Sequence, residues 1–75
     1  MSGLPAVNGR QVIRALERGG FVLVRIKGSH HVMEHAVDAR TTTVPVHAGK
    51  SLRKGTLRAI LKQAELTVEE FILLL

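Results

Sequence analysis

The sequence has no cysteine, no tryptophan and no tyrosine, and its only aromatic residues other than histidine are Phe21 and Phe71. Without cysteine there is neither a disulfide framework nor a thiolate metal site, and nothing indicates an oxidising compartment. No apolar run approaches the ~20 residues that a membrane-spanning helix needs. These absences exclude a disulfide-stapled module, and they predict an aliphatic core and no membrane partner.

The N-terminal residues 1–5 have neither the basic start nor the apolar stretch of a secretory signal, so we expect a protein of the cytoplasm. With 75 residues, the chain is near the lower size limit for one unassisted hydrophobic core. We therefore expect a single domain over residues 1–75. Residues 1–7 precede the first periodic segment and are expected to form a flexible N-terminus.

Acidic residues are scarce: six Asp and Glu stand against eleven Lys and Arg, which gives a formal net charge of +5. A protein of this charge binds polyanions, because each phosphate that it neutralises releases condensed counterions. The balance favours nucleic acid as a partner but does not specify which kind.

Three segments have the apolar spacing of amphipathic helices. The first runs from about residue 8 to 18, and Asn8 with Gln11 predicts a capping box at its start. The second has one apolar face between Leu57 and Ala64. The third is short and follows a second capping box that begins at Thr67.

Between the first two helices, residues 21–26 are rich in β-branched and aromatic residues and predict a strand. A second strand is expected over His30–His35, after the turn, and a third over Thr41–Val46, which has three threonines and two valines. The connections are too short to cross over a sheet, so the strands form an antiparallel meander. Because Pro45 has no N–H to donate, it belongs at an edge or at a strand end. The order α-β-β-β-α, with a short extra C-terminal helix, predicts an α+β fold of the double-stranded-RNA-binding type. In that fold both helices pack on one face of a three-stranded sheet.

The turn Gly28-Ser29-His30-His31 is the segment best suited to chemistry. Cleaving RNA without a metal requires deprotonation of the 2′-hydroxyl, stabilisation of the phosphorane charge and protonation of the leaving 5′-oxygen. Histidine suits the proton steps, because its ordinary pKa of about 6.5 leaves both forms available near neutrality. Gly28 permits a tight turn and close approach of a phosphate, to which Ser29 can donate a hydrogen bond.

Four basic residues are candidate substrate contacts. Arg25 and Lys27 come just before the histidine turn, and together with Lys50 they are plausible stabilisers of phosphate charge. Lys54 lies with Lys50 around the start of the second helix, which is either a phosphate-binding helix end or simply a solvated face.

Strand alternation separates the two histidines but does not choose between them. If Met33 points into the core, His31 points with it and His30 faces outward, which favours His30 as the catalytic residue. The opposite phase, with Val32 buried, favours His31. A strand end that is merely polar is the alternative to both, and His35 is expected on the solvated surface.

A metal site is not expected, since the histidines lack a carboxylate cluster, and we expect no cofactor. The apolar C-terminal run Phe71–Leu75 is partly core, and its remainder suits a partner or oligomer contact.

Several motifs together resemble the HicA (YcfA-like) family of mRNA interferase toxins, over roughly residues 8–74. They are Gly28–His31, Thr43–His47, Lys54–Arg58 followed by Ile60–Ala64, and the ending Leu66–Phe71. The resemblance implies a double-stranded-RNA-binding-like fold, a metal-independent endoribonuclease acting on mRNA, and a HicB-type antitoxin that masks the active site.

The family's essential histidine lies in the glycine-serine-histidine turn, which maps onto His30. Some members keep the histidine only in the second position, which maps onto His31. We therefore expect His30 to be the catalytic residue, with His31 as its competitor. Glu34 and Asp38 make the hairpin more acidic than is usual in the family. A non-catalytic RNA-binding module of the same fold is the alternative function.

Overall fold

A computed structural model describes residues 3–75 of the chain. Its elements are α1 (Gly9–Arg18), β1 (Phe21–Lys27), β2 (His30–His35), β3 (Thr41–Pro45), α2 (Lys54–Ala64) and α3 (Val68–Leu74). The strands form one antiparallel sheet in the order β1-β2-β3. The predicted α+β arrangement of the double-stranded-RNA-binding type, with its short extra C-terminal helix, is confirmed.

The start of α1 is set by the predicted capping box. The Asn8 side chain accepts a hydrogen bond from the Gln11 backbone N–H at 2.9 Å, and the Asn8 N–H donates to Gln11 Oε1 at 2.8 Å. These bonds satisfy backbone N–H groups that have no partner within the helix. The helix ends before Gly20, whose φ of +96° is a conformation that favours glycine.

The core lies between the sheet and the helices and is aliphatic apart from the two phenylalanines. Its largest fully buried apolar side chains are Phe21, Phe71, Leu16, Met33, Leu57, Val12 and Val44. The one buried polar side chain of residues 3–75 is Thr42, whose hydroxyl lies 3.0 Å from the Ile60 carbonyl oxygen on α2.

The N-terminal segment differs from the flexible stretch expected over residues 1–7. Leu4 and Val7 are buried in the core, and the Val7 carbonyl accepts a hydrogen bond from the Leu52 N–H at 2.8 Å. The hydrogen bond ties the segment to the stretch just before α2, and the two buried side chains join it to the core. Residues 1 and 2 lie outside the described part of the chain.

The sheet has a helix-facing side and an opposite side, called here the open face. Met33 is fully buried on the helix-facing side, so its phase along β2 is settled. A β-bulge interrupts β1 between Leu23 and Arg25, so that Leu23 pairs with Met33 and Ile26 pairs with His31. Because cross-strand partners share a face, Leu23 and Ile26 both point toward the helices, although they are three residues apart.

The β2–β3 turn is tied to the rest of the molecule by Arg40. Its guanidinium donates to both carboxylate oxygens of Asp38 at 2.9 Å and to the Ala64 carbonyl at the end of α2 at 2.7 Å. Its Cζ also lies 5.4 Å from the centre of the Phe21 ring. These contacts join the turn, the first strand and the second helix.

The expectation of a solvated His35 was wrong. Its side chain is 15% exposed, and its ring meets that of Phe21 edge to face, with centres 5.1 Å apart. Its Nδ1 also accepts a hydrogen bond from the Val37 N–H at 3.2 Å. The aromatic contact occurs because Phe21 and His35 are cross-strand partners on the helix-facing side.

Candidate functional site

The histidine turn is held at the end of the β1–β2 hairpin by backbone contacts. Gly28 has φ of +60°, a left-handed conformation that disfavours other residues. The Ser29 carbonyl accepts a hydrogen bond from the Val46 N–H at 2.8 Å, just beyond β3. The two histidines that follow are therefore fixed relative to all three strands.

His30 lies on the open face of the sheet. It is exposed, and its cross-strand partners are Lys27 on β1 and Pro45 on β3. Arg25 pairs with Val32 and so lies on the same face. The structure thus brings His30, Lys27 and Arg25 together on an exposed, basic surface.

His31 points the other way, toward α1, and is half-buried. Its Nδ1 lies 3.4 Å from the Ser29 carbonyl oxygen, a long contact in which only the ring nitrogen can donate. In the neutral tautomer that makes this hydrogen bond, Nε2 carries a lone pair and is available to accept a proton.

A cleft of about 360 Å³ opens between α1 and β1, and His31 lies on its wall. This volume is within the ~300–1,000 Å³ range of small-ligand pockets. The lining residues of this α1–β1 cleft are Arg10, Ile13, Arg14 and Glu17 from α1, Leu23 and Ile26 from β1, and His31 from β2. The cleft is therefore lined by residues that carry an imidazole, two guanidiniums and a carboxylate.

Arg10, Arg14 and Glu17 were not among the site residues expected from the sequence. Their spacing of four and three residues does put them on one side of the helix. That spacing was the available signal, but only the packing of α1 against β1 turns this side into a cleft wall.

Lys50 and Lys54 lie apart from the cleft, around the start of α2. Lys50 lines a second pocket with Pro45, His47, Ser51, Leu52, Arg53 and Thr56. Lys54 is the exposed first residue of α2. Pro45 is also the β3 partner of His30, so this basic surface adjoins the open face rather than His31.

Two further properties of the described residues bear on the site. No group of three or more histidine, aspartate or glutamate side chains in residues 3–75 is placed to hold a metal ion. Within the same residues, no helix is both long and apolar enough to cross a membrane.

Comparison with known proteins identifies the family. The model of the HicA toxin of bacterial toxin–antitoxin systems matches residues 9–66, which include α1, the whole sheet, the histidine turn and α2. No curated protein matches the chain. Because the match covers well more than half of the chain and includes the elements described above, this protein belongs to the HicA toxin family.

Proposed function

We propose that this toxin is an endoribonuclease that cleaves mRNA in the cytoplasm without a metal ion, using histidine for proton transfer. The single observation that carries the proposal is the α1–β1 cleft, where the half-buried His31 faces the same cavity as Arg10 and Arg14. A base beside two cations is what transesterification at an RNA phosphate requires.

In the proposed reaction, His31 Nε2 accepts the proton of the 2′-hydroxyl, and that oxygen attacks the adjacent phosphorus. The bond from phosphorus to the 5′-oxygen breaks, and the 5′-oxygen takes a proton from solvent, to which the cleft is open. The products are a 2′,3′-cyclic phosphate and a 5′-hydroxyl. Arg10 and Arg14 stabilise the negative charge that develops on the phosphorane oxygens.

The alternation of side chains along β2 favours His30 for this role when Met33 points into the core, and Met33 is indeed buried there. The structure adds that His31 is not enclosed in the core but lies on the cleft wall. We therefore assign proton transfer to His31 and keep His30 as the second candidate. In this proposal His30, Lys27 and Arg25 bind the RNA backbone on the open face, with Gly28 and Ser29 at the turn.

Lys50 and Lys54 extend the proposed RNA-binding surface past Pro45 to the start of α2. They are two exposed cations on the side of the molecule that adjoins the open face. In this arrangement one RNA strand contacts both basic surfaces and enters the cleft at the hairpin turn.

Membership of a toxin–antitoxin family implies a cognate antitoxin partner. We propose that a HicB-type antitoxin neutralises the toxin by covering the cleft. The exposed apolar residues at the C-terminus, of which Leu73 is 86% exposed, are the proposed contact for the antitoxin or for a second copy of the chain.

The test compares His31→Ala with His30→Ala in cleavage of a labelled single-stranded RNA in the presence of EDTA. We expect His31→Ala to lower the single-turnover rate by ~10²–10⁴-fold, the usual contribution of a general base. RNA affinity, measured by fluorescence anisotropy, should stay close to that of the parent. His30→Ala should weaken RNA binding and retain most of the single-turnover rate at saturating protein.

The opposite pattern, in which only His30→Ala abolishes cleavage, would exchange the roles of the two histidines. If both variants cleave like the parent, the protein is a non-catalytic RNA-binding module and the enzyme proposal fails. Loss of parental cleavage on adding EDTA would contradict the metal-independent mechanism. Thermal unfolding of each variant checks that the fold is retained.

A further inference from the structure

The half of the α1–β1 cleft that the proposed reaction does not use is apolar. Ile13, Leu23 and Ile26 form it, and Leu23 and Ile26 are 43% and 54% exposed. The β-bulge of β1 directs both side chains to the cleft. Large aliphatic side chains on a cavity wall provide a surface for a flat apolar ligand group beside the charged residues.

Glu17 is a free hydrogen-bond acceptor in the same cleft. It is exposed, and within residues 3–75 its carboxylate makes no hydrogen bond and no ion pair, although Arg10 and Arg14 line the same cavity. Its two oxygens can therefore accept two hydrogen bonds from a ligand. The cleft thus combines an apolar wall, a free carboxylate and two cations.

We propose that the cleft holds one unstacked guanine base of a single-stranded RNA, next to the phosphate that Arg10 and Arg14 bind. The base lies against Leu23 and Ile26, and its N1–H and N2–H groups donate to the Glu17 carboxylate. This inference rests on the proposed ribonuclease function for the neighbouring phosphate. To that function it adds the identity of the recognised base, guanine.

Guanine fits this site better than the other bases because of its Watson–Crick edge. Guanine presents two adjacent donors there, which match the two oxygens of a carboxylate. Adenine and cytosine each offer one amino group, and uracil offers one imino N–H. Base edges of this kind are read when bases of single-stranded RNA are unstacked, whereas a duplex hides them.

The experiment measures binding of pentanucleotides of 2′-deoxyuridine that carry a single central G, A, C or U. They lack the 2′-hydroxyl, so the proposed reaction cannot cleave them. We expect the central G to lower Kd by ~10-fold or more relative to A, C or U. Glu17→Gln should raise the Kd for G by ~5–150-fold, the range expected when a bidentate base contact is lost, and change the other three less than about 3-fold.

Two further variants distinguish recognition of the Watson–Crick edge of the base from packing that any base could make. Glu65→Gln makes the same chemical change just after α2, outside the cleft, and should leave all four affinities unchanged. Ile26→Ala should weaken all four oligonucleotides by a similar factor, because packing against an aliphatic wall does not distinguish bases. Methyl shifts of Ile13 and Ile26 on binding would place the base in the cleft.

Equal affinity for the four bases, or a uniform loss of affinity in Glu17→Gln, would overturn the guanine site. Cleavage of the matching ribose pentanucleotides is measured separately. Absence of cleavage with an intact guanine preference would count against the proposed ribonuclease alone. Cleavage without any guanine preference would count against the base site alone.

Discussion

At the scale of single residues, Arg40 makes Asp38 a stronger acid. The side-chain hydrogen bond from Arg40 holds the pKa of the Asp38 carboxyl below its usual value of 3.8, and the Arg40 backbone N–H acts in the same direction. Because this pKa is lower in the folded chain, the interaction stabilises the fold above the pKa of the unfolded chain. The contribution disappears as the pH falls through the folded value.

Arg40→Met should therefore raise the pKa of Asp38 toward 3.8, since it removes the hydrogen bond that is the main cause of the shift. The carboxyl carbon chemical shift of Asp38, followed by NMR from pH 6 to 2, measures this directly. Arg58→Met, which removes an exposed arginine on α2, is the control and should leave the titration unchanged. An unchanged Asp38 titration in Arg40→Met would contradict the assignment.

At the scale of elements, α1 and α2 each have a glycine near the start, and the surroundings of these two glycines are opposite. A Cβ added to Gly9 would lie 2.4 Å from the Pro45 carbonyl oxygen and 3.1 Å from Val46 Cα, so α1 approaches the end of β3 as closely as a glycine allows. A Cβ on Gly55 in α2 would meet nothing within 4 Å. The same substitution should therefore have opposite effects at the two positions.

Gly9→Ala should lower the free energy of unfolding by ~1–3 kcal/mol, because the added methyl group forces the backbone of α1 away from β3. Gly55→Ala should raise it by ~0.5–1 kcal/mol, because alanine loses less conformational freedom in a helix. Urea unfolding followed by circular dichroism gives both values. Equal effects in the two variants would refute the close approach at Gly9.

Local sequence signals predicted the elements well. The capping boxes at Asn8 and Thr67 both form, and the strands begin where the sequence places them. The bulge in β1 was not predictable, because in a run of β-branched and aliphatic residues every side chain suits either face. The cleft was not predictable either, since Arg10 and Ile26 meet only through the packing of α1 on β1.

At the scale of the whole molecule, the excess of positive charge is distributed over distinct surfaces. Arg10 and Arg14 line the α1–β1 cleft, Arg25 and Lys27 occupy the open face, and further basic residues surround the start of α2. A single RNA strand that contacts several of these surfaces releases many counterions, so its affinity should depend strongly on salt.

The Lys50→Gln, Lys54→Gln double variant should reduce the slope of log K against log salt by about 1.4, since a single strand releases ~0.7 counterion per neutralised phosphate. The slope is measured by fluorescence anisotropy titrations with a single-stranded RNA at KCl concentrations from roughly 50 to 300 mM. Lys62→Gln, in the last turn of α2, is the control and should leave it unchanged. A parental slope in the double variant would remove Lys50 and Lys54 from the RNA contact.

The bulge in β1 determines which side of the sheet each later side chain of this strand faces. Before the bulge Leu23 faces the helices, and after it Ile26 does, while Arg25 and Lys27 face away. In an unbroken strand, the positions that follow Leu23 on its own side would be those of Arg25 and Lys27. One extra residue therefore keeps aliphatic and basic side chains sorted to different sides, so this strand can vary in composition more readily than in length.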